Sequence, residues 1–257
     1  MSGALLATEA LRVEIGGKRI GGGLDLAVAA GETWAVLGAN GAGKTTLLHT
    51  LAGLRPPAAG RVQLDGRPLA AQRPRDVARR LGILLQDSAD PFPTTVLETA
   101  LIGRHPHLGP WEWEGADDRA LARAALAEVD LAGLESRPVD SLSGGERRRL
   151  ALATLLVQDP ALYLLDEPTN HLDLHHQVHL LGHLRARARE RGGALVMALH
   201  DVNPAARFCD HALLVFADGE VLHGRTDELL RPGHLSCLYD HPIEAVEHNG
   251  RTAFLPA

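Results

Sequence analysis

The sequence predicts an α/β fold: a mainly parallel sheet flanked by helices, with an N-terminal antiparallel β subdomain and an inserted α-helical subdomain. The first observation is that short apolar strands alternate with helices from residue 147 onward, which is typical of a parallel sheet covered on both faces. The second is segment 11–29, where short alternating runs are separated by glycines, as in antiparallel strands with tight turns. The third is the stretch 87–138, which contains prolines and an Ala/Leu-rich helix instead of strands.

The individual elements follow from the apolar pattern and its breaks. The predicted strands are Thr33–Leu37, Val62–Gly66 with its turn, Ile83–Gln86, Ala161–Leu165, Ala194–Leu199 and Ala212–Phe216. The predicted helices are Lys44–Ala52, Arg147–Val157, Leu174–Arg191 and Asn203–Phe208. A further helix in the inserted stretch is expected to carry Leu121, Ala125 and Val129 on one side.

We expect one domain spanning residues 1–257. Its core would comprise 1–86 and 158–231, its helical subdomain about 87–157, and its C-terminal tail 232–257. The tail carries only weak patterns, which specify no particular element.

Composition excludes some classes of function. The 257 residues carry a net charge of −6 and a pI near 6.1, whereas nucleic-acid-binding domains usually carry a basic excess. The longest apolar runs, such as Ala161–Leu165 and Ala212–Ala217, are far shorter than the ~18 residues that a membrane-spanning helix needs. Cys209 and Cys237 have no metal-ligand spacing, which fits a reducing compartment.

A phosphate-binding loop is predicted between the strand at 33–37 and the following helix. Gly38–Thr45 matches the pattern G-x-x-x-x-G-K-[ST], in which glycines let successive backbone N–H groups point at phosphate oxygens. Lys44 would reach the β- and γ-phosphates, and the Thr45 hydroxyl would bind Mg²⁺. The alternative is a glycine-rich turn with a solvated lysine; a dinucleotide motif is excluded because Thr46 replaces its third glycine. The candidate phosphate-binding residues are Gly38, Ala39, Asn40, Gly41, Ala42, Gly43, Lys44, Thr45 and Thr46.

Two carboxylates follow the strand at 161–165. Asp166 and Glu167 would lie at the carboxyl edge of the sheet, where α/β proteins bind ligands. Asp166 is suited to hold Mg²⁺ and Glu167 to accept a proton from attacking water. The same two acids could instead form a polar turn before Pro168 with no catalytic role. The upstream phosphate loop favours the functional interpretation.

A third motif identifies a family. Leu142–Glu146 (Leu-Ser-Gly-Gly-Glu) resembles the signature motif of ABC transporter ATPases, and it lies just upstream of the acidic strand as in that family. Ser143 and Glu146 also fit a helix capping box, and both interpretations can hold together. The resemblance covers about Leu11 to Arg231. It implies a RecA-like P-loop NTPase in which Ser143, Gly144, Gly145 and Glu146 bind the ATP of an opposing copy.

The same resemblance assigns roles to single residues. Gln86 would contact Mg²⁺ or water, and His200 would hydrogen-bond the γ-phosphate. Asp173, in the motif Asn170–Asp173, would line the dimer interface. The catalytic set implied is Glu167, His200, Gln86 and Lys44; the Mg²⁺ ligands implied are Thr45, Gln86 and Asp166.

The resemblance also implies a biological setting. The chain would hydrolyse ATP with Mg²⁺ as a head-to-tail homodimer at the cytoplasmic face of the inner membrane. Its partners would be integral-membrane permease subunits and, indirectly, an extracytoplasmic substrate-binding protein, with no nucleic acid. Gly103–Leu108, Leu172–Gln177 and His200–Asn203 resemble the ATPases of iron-siderophore, haem and cobalamin importers.

Some alternatives remain open. The chain could be a soluble ABC ATPase in translation or DNA repair, or a nucleotide-dependent regulatory module. Family members usually stack adenine on an aromatic residue, where this chain offers Val13, so we expect an apolar contact or weaker affinity. His175, His179 and His183 recur every four residues, which fits either a metal site or, as we favour, a solvated helix face.

Overall fold

The computed structural model describes residues 3–86, 93–170 and 172–257. The loop predicted at 87–92 and His171 of the Asn170–Asp173 motif lie outside these residues. The described strands are β1 (Ala4–Ile15), β2 (Lys18–Leu24), β3 (Ala27–Ala29), β4 (Thr33–Leu37), β5 (Ala59–Leu64), β6 (Arg67–Pro68), β7 (Leu81–Leu84), β8 (Leu162–Asp166), β9 (Ala194–Ala198), β10 (His211–Val215), β11 (Val221–Arg225), β12 (Ile243–His248) and β13 (Arg251–Pro256).

The described helices are α1 (Lys44–Leu51), α2 (Pro74–Arg80), α3 (Val96–Leu101), α4 (Ala116–Glu128), α5 (Gly144–Gln158), α6 (Leu174–Glu190), α7 (Val202–Phe208), α8 (Thr226–Leu229) and α9 (Pro232–Tyr239). Among the described residues, no helix is both long enough and apolar enough to cross a bilayer.

The central sheet has the strand order β11-β10-β4-β9-β8-β7 within the described residues. All its neighbouring pairs are parallel except β10 with β11. The carboxyl ends of β4, β7, β8 and β9 therefore meet at one edge, where ligands bind in such sheets. The smaller antiparallel sheet contains β1, β2, β3, β5 and β6. These sheets confirm the predicted α/β class with an N-terminal antiparallel β part.

Two apolar layers cover the faces of the central sheet. In β4, Ala35 and Leu37 belong to one layer, while Trp34 and Val36 belong to the other. β8 divides in the same way, with Tyr163 in the first layer. Because successive side chains of a strand point to opposite faces, fully apolar strands are what a doubly covered sheet requires.

Most predicted elements appear within one to three residues of their expected bounds. Helix α5 begins at Gly144 instead of Arg147, because Ser143 caps it. Strand β7 ends at Leu84, so Gln86 lies beyond the strand.

The predicted apolar face of α4 is wrong in one position. Leu121 is half exposed, and the buried face consists of Ala122, Ala125 and Leu126, followed by Val129. Small alanines let α4 approach α5 closely, which turns Leu121 towards solvent.

The tail forms elements that the sequence did not specify. Helix α9 is followed by the hairpin β12–β13, whose Phe254 is buried. Asn203 of α7 fixes the hairpin, because its side chain donates to Phe254 O at 3.1 Å and accepts from Phe254 N at 2.8 Å.

Candidate functional site

The loop between β4 and α1 forms a cradle of backbone N–H groups. Gly43, directly before α1, has φ = 105°, a conformation that L side chains rarely adopt. A Cβ atom at Gly43 would also overlap the Cδ1 atom of Ile20, so a larger residue would force that side chain to move. The free N–H groups of the first turn of α1 therefore open towards the carboxyl edge of the sheet, which suits an anion.

Lys44 stands at the first position of α1 and is buried. Its Nζ atom donates to Gly38 O at 2.7 Å and to Ala39 O at 3.2 Å, so the ammonium group is held against the loop. Burial lowers the pKa of Lys44, while the carboxylates of Glu167 and Asp166 partly offset this effect.

Asp166 ends β8 and is completely buried. Burial raises the pKa of Asp166, whereas the nearby Thr45 hydroxyl lowers it. Neither carboxylate oxygen accepts a hydrogen bond of normal geometry from any residue that the structure describes. The Asp166 carboxylate and the Thr45 hydroxyl together provide the oxygen ligands that Mg²⁺ prefers.

Glu167 is the centre of a hydrogen-bond network. Its Oε1 atom lies 2.5 Å from His200 Nε2, and its Oε2 atom accepts from Gln86 Nε2 at 3.1 Å and from Asn170 Nδ2. The backbone of Glu167 adopts φ = 50°, which is unusual for a glutamate and points to a local constraint. This constraint directs the carboxylate towards the cradle.

Arg148 fixes the backbone around this network, a role that no sequence motif indicates. Its guanidinium, carried by α5, donates to Leu85 O at 2.5 Å and Gln86 O at 3.3 Å. It also donates to Asp166 O and, at 2.7 Å, to Glu167 O. One buried side chain therefore joins the helix of the Leu142–Glu146 motif to the backbone at both Gln86 and Glu167.

These groups surround one cavity of about 530 Å³. It is lined by Ile15, Asn40, Gly41, Gly43, Lys44, Thr45, Thr46, Gln86, Glu167, Asn170 and His200. The structure thus brings together the four residues predicted as catalytic. Asn170 was named from its motif alone, and its contact with Glu167 was not anticipated.

Of the two outcomes expected at Val13, its burial argues against the apolar contact with adenine, and the weaker nucleotide affinity stays a prediction. Val13 is buried in the core, whereas Ile15, two residues on and at the end of β1, lines the cavity. The Val13 and Ile15 side chains lie on the same face of β1, but only Ile15, at the end of the strand, lies beyond the core and borders the cavity.

The Leu142–Glu146 motif does not line this cavity. Ser143 is exposed and forms a capping box: Glu146 N donates to Ser143 Oγ at 3.2 Å, and Ser143 N donates to Glu146 Oε2 at 2.7 Å. The backbone N–H of Ser143 lowers the pKa of Glu146. Gly144 is exposed beside it, so the tip of α5 faces outward.

Asp173 also lies outside the cavity lining. It caps α6, since its Oδ1 accepts from His176 N at 2.9 Å, and this bond lowers the pKa of Asp173. Its exposed position leaves it available to another molecule.

The three histidines singled out on α6 do not form one cluster: the rings of His175 and His179 are stacked with centroids 6.4 Å apart, while His183 pairs with an acid of α4. His183 Nε2 lies 2.9 Å from Glu128, and His176 Nδ1 lies 2.8 Å from Asp173. In the described ranges, no group of three His, Cys, Asp or Glu side chains is arranged to hold a metal ion.

Comparison with known proteins identifies the family. The family model described as ABC transporter matches residues 22–170, more than half of the chain. The chain belongs to the ABC transporter family. It is an ABC-type ATPase that binds ATP, and the geometry above therefore describes the nucleotide site of an ABC ATPase.

Individual relatives are similar over most of their lengths. The hemin import ATP-binding protein HmuV of Streptomyces coelicolor is 41% identical over 255 residues, covering 98% of this chain and 89% of that protein. The ferric enterobactin transport ATP-binding protein FepC of Escherichia coli is 39% identical, covering 85% of this chain and 80% of that protein.

A solved structure is similar over the whole chain. It is described as an inward-facing conformation of a metal-chelate type ABC transporter, with 28% identity and a TM-score of 0.85. The match covers 99% of this ABC ATPase and 98% of that chain. The RecA-like P-loop fold expected from the motifs is confirmed.

Proposed function

We propose that this ABC ATPase energises an importer of an iron chelate, either haem or a ferric siderophore, or alternatively of cobalamin, which is a cobalt complex. The observation that carries the ATPase part is Glu167, held 2.5 Å from His200 and within reach of Gln86 beside the phosphate cradle. The names of the similar hemin and ferric enterobactin proteins support the iron-chelate cargo.

The triphosphate of ATP would lie against the N-terminus of α1, with Lys44 Nζ leaving its carbonyl partners to pair with the β- and γ-phosphates. Glu167 would accept a proton from water as that water attacks the γ-phosphate in line. His200, hydrogen-bonded to the same carboxylate, would orient the water and stabilise charge on the γ-phosphate.

Mg²⁺ fits the donor set of Thr45, Asp166 and Gln86. When bound, it would neutralise charge on the β- and γ-phosphate oxygens. The cation would also compensate the charge of Asp166. It would thereby remove the free-energy penalty of burying a carboxylate that accepts no hydrogen bond of normal geometry from the described residues.

The second half of the site would come from another copy of the chain. The exposed tip at Ser143, Gly144 and Gly145 carries the N-terminal N–H groups of a 15-residue helix, which suit a γ-phosphate. Two copies arranged head to tail would each place this tip over the cradle of the other. Asp173, exposed at the start of α6, would then lie along the interface.

The other partners would be permease subunits, with the ATPase peripheral to the cytoplasmic face of the inner membrane. The helical segment, about 87–157, would transmit opening and closing to the permease as a rigid body. Arg148 supports this idea, since it ties α5 to the backbone at Gln86 and Glu167.

Glu167→Gln tests the ATPase mechanism. The variant should bind ATP normally, hydrolyse it ~10²- to 10⁴-fold more slowly, and form an ATP-dependent dimer, because only the proton acceptor is removed. Phosphate release and light scattering after size exclusion measure these effects. Glu190→Gln, an exposed acid at the end of α6, is the matched control. Unchanged hydrolysis in Glu167→Gln would refute the role of Glu167.

The import function is tested by co-expressing this chain with a candidate permease from the same genome. The two proteins should co-purify from detergent extracts, and proteoliposomes should take up one cargo in an ATP-dependent manner. Separate assays with haem, a ferric siderophore and cobalamin identify it. Association with ribosomes or DNA instead of a membrane protein would contradict the proposal.

A further inference from the structure

Two tryptophans project from the loop between α3 and α4. Trp111 is 98% exposed and Trp113 is 86% exposed, whereas Trp34 is buried and stacked on His211 at 4.5 Å between ring centroids. Each such ring can bury ~150–250 Å². Two of them together reach the size of surface patch, about 300–600 Å², that is often functional in soluble proteins.

The loop is held in place by its neighbours. Arg75 Nε and Arg79 Nε, both from α2, donate to Pro106 O at 3.0 and 2.6 Å. The ring of His107 is hydrogen-bonded to Gln158 O of α5 at 2.8 Å. Two helices therefore hold the start of the loop at Pro106 and His107, a few residues before the exposed tryptophans.

The backbone also holds Trp111 in an unfavourable conformation. Its φ of 70° lies in the left-handed region, which is rare for a bulky aromatic residue. A strained residue with an exposed ring is expected where the surrounding structure keeps a side chain ready for a partner.

Beside the tryptophans lies a cleft of about 370 Å³ with an acidic wall. Its lining includes Trp113, Glu112, Glu114, His105 and Arg75. Glu112 is oriented by a hydrogen bond from Gly109 N at 2.5 Å, whereas Glu114 lies 3.8 Å from His105, beyond hydrogen-bond distance, so both carboxylates retain acceptor capacity. The guanidinium of Arg75 is directed to Pro106 O. Two carboxylates therefore face the cleft against one cation.

We propose that this cleft receives a basic side chain, arginine or lysine, from a cytoplasmic loop of the permease. The inference rests on the proposed function and names a docking point for its membrane partner. A cation can lie over the face of Trp113 and pair with Glu112 or Glu114 at the same time. Cytoplasmic loops of membrane proteins carry an excess of Lys and Arg, which complements this surface.

A lipid surface fits less well. Exposed tryptophans do occur at membrane interfaces. However, Glu112, Glu114 and Asp117 lie within a few residues of the rings, and the cytoplasmic leaflet is anionic. Like charges would repel the loop from such a membrane, whereas a basic protein loop would attract it.

The test compares the full-length protein with a Trp111→Ser/Trp113→Ser variant for binding to the co-expressed permease in nanodiscs. The double variant should bind at least about 10-fold more weakly, while its melting temperature and basal ATPase rate stay unchanged, because both rings are exposed and neither lines the nucleotide cavity. Glu114→Lys should weaken binding in the same way. Leu255→Ser, a half-exposed residue of the β12–β13 hairpin, is the control.

Three outcomes are distinguishable. If wild-type protein binds the permease and the double variant binds equally well, the inference is wrong while the proposed function stands. If wild-type protein does not bind the permease, the proposed function is refuted and the inference with it. If tryptophan emission shifts to the blue with protein-free phosphatidylcholine or phosphatidylglycerol vesicles, the surface is assigned to lipid and the permease assignment is overturned.

Discussion

Replacing Arg148 by methionine should both destabilise the protein and slow its catalysis. Methionine has a similar length but no donors, so the carbonyl groups of Leu85, Gln86, Asp166 and Glu167 lose the guanidinium that they share. Leaving buried acceptors unpaired costs about 1–3 kcal/mol each, but relaxation recovers part of this, so we expect about 2–4 kcal/mol overall. For a domain of this size, that lowers the melting temperature by roughly 4–16 °C.

The kinetic effect separates positioning from stability. Arg148 holds the backbone on which the Gln86 and Glu167 side chains stand, so its loss should misplace both by a fraction of an ångström or more. A displacement of about 1 Å can reduce a rate by ~10²-fold, and we expect kcat to fall ~10- to 100-fold with little change in ATP affinity. Both are measured well below the melting transition, by steady-state ATPase assay and by titration with a fluorescent ATP analogue.

Arg147→Met is the matched control, since Arg147 is exposed and, within the described residues, its side chain bonds to the peripheral Asp140 O at 2.8 Å. If Arg148→Met melts at the wild-type temperature and retains the wild-type kcat, the role assigned to this guanidinium is incorrect.

Three other predictions use the same assays. Ile15→Tyr should tighten ATP binding about 10-fold by adding a ring against adenine, whereas an unchanged dissociation constant would mean that Ile15 does not face the base. Ser143→Ala should cost ~1 kcal/mol and abolish the ATP-dependent dimer, whereas Thr95→Ala, in the capping box of α3, should cost as much and leave dimerisation intact. Burial raises the pKa of Tyr239 from 10.0 to about 12, so the folded chain holds this proton more tightly and loses stability as pH rises through that interval. Over the same pH range, the free energy of unfolding of Tyr239→Phe, measured with urea, should fall less than that of wild type. If both proteins show the same dependence of unfolding free energy on pH, Tyr239 makes no such contribution.

The sequence predicted the motif-bearing part of the site because its chemistry depends on local order. Gly38–Thr45 must connect a strand to a helix to bind phosphate, and β4 and α1 do so at the expected residues. Asp166 and Glu167 end a strand as expected, because an apolar run followed by acids leaves few other positions for the strand.

Other features depend on contacts between distant segments. Nothing in the run Arg147-Arg148-Arg149 shows which arginine turns inward, since that is set by how α5 packs against the turn after β8. Val13 and Ile15 share a face of β1, and only the end of the strand decides which one reaches the cavity. The β12–β13 hairpin has little apolar alternation, because it is mostly exposed and is fixed through Asn203.

The three partners of Glu167 bear on how the protein behaves without a second copy. His200 occupies its Oε1 atom, while Gln86 and Asn170 both donate to Oε2. Three of the roughly four acceptor sites of this carboxylate are therefore taken, which limits how a water molecule can be held against it. A solitary chain is therefore expected to consume ATP at a low resting rate, and rapid consumption begins when pairing rearranges the contacts of Glu167.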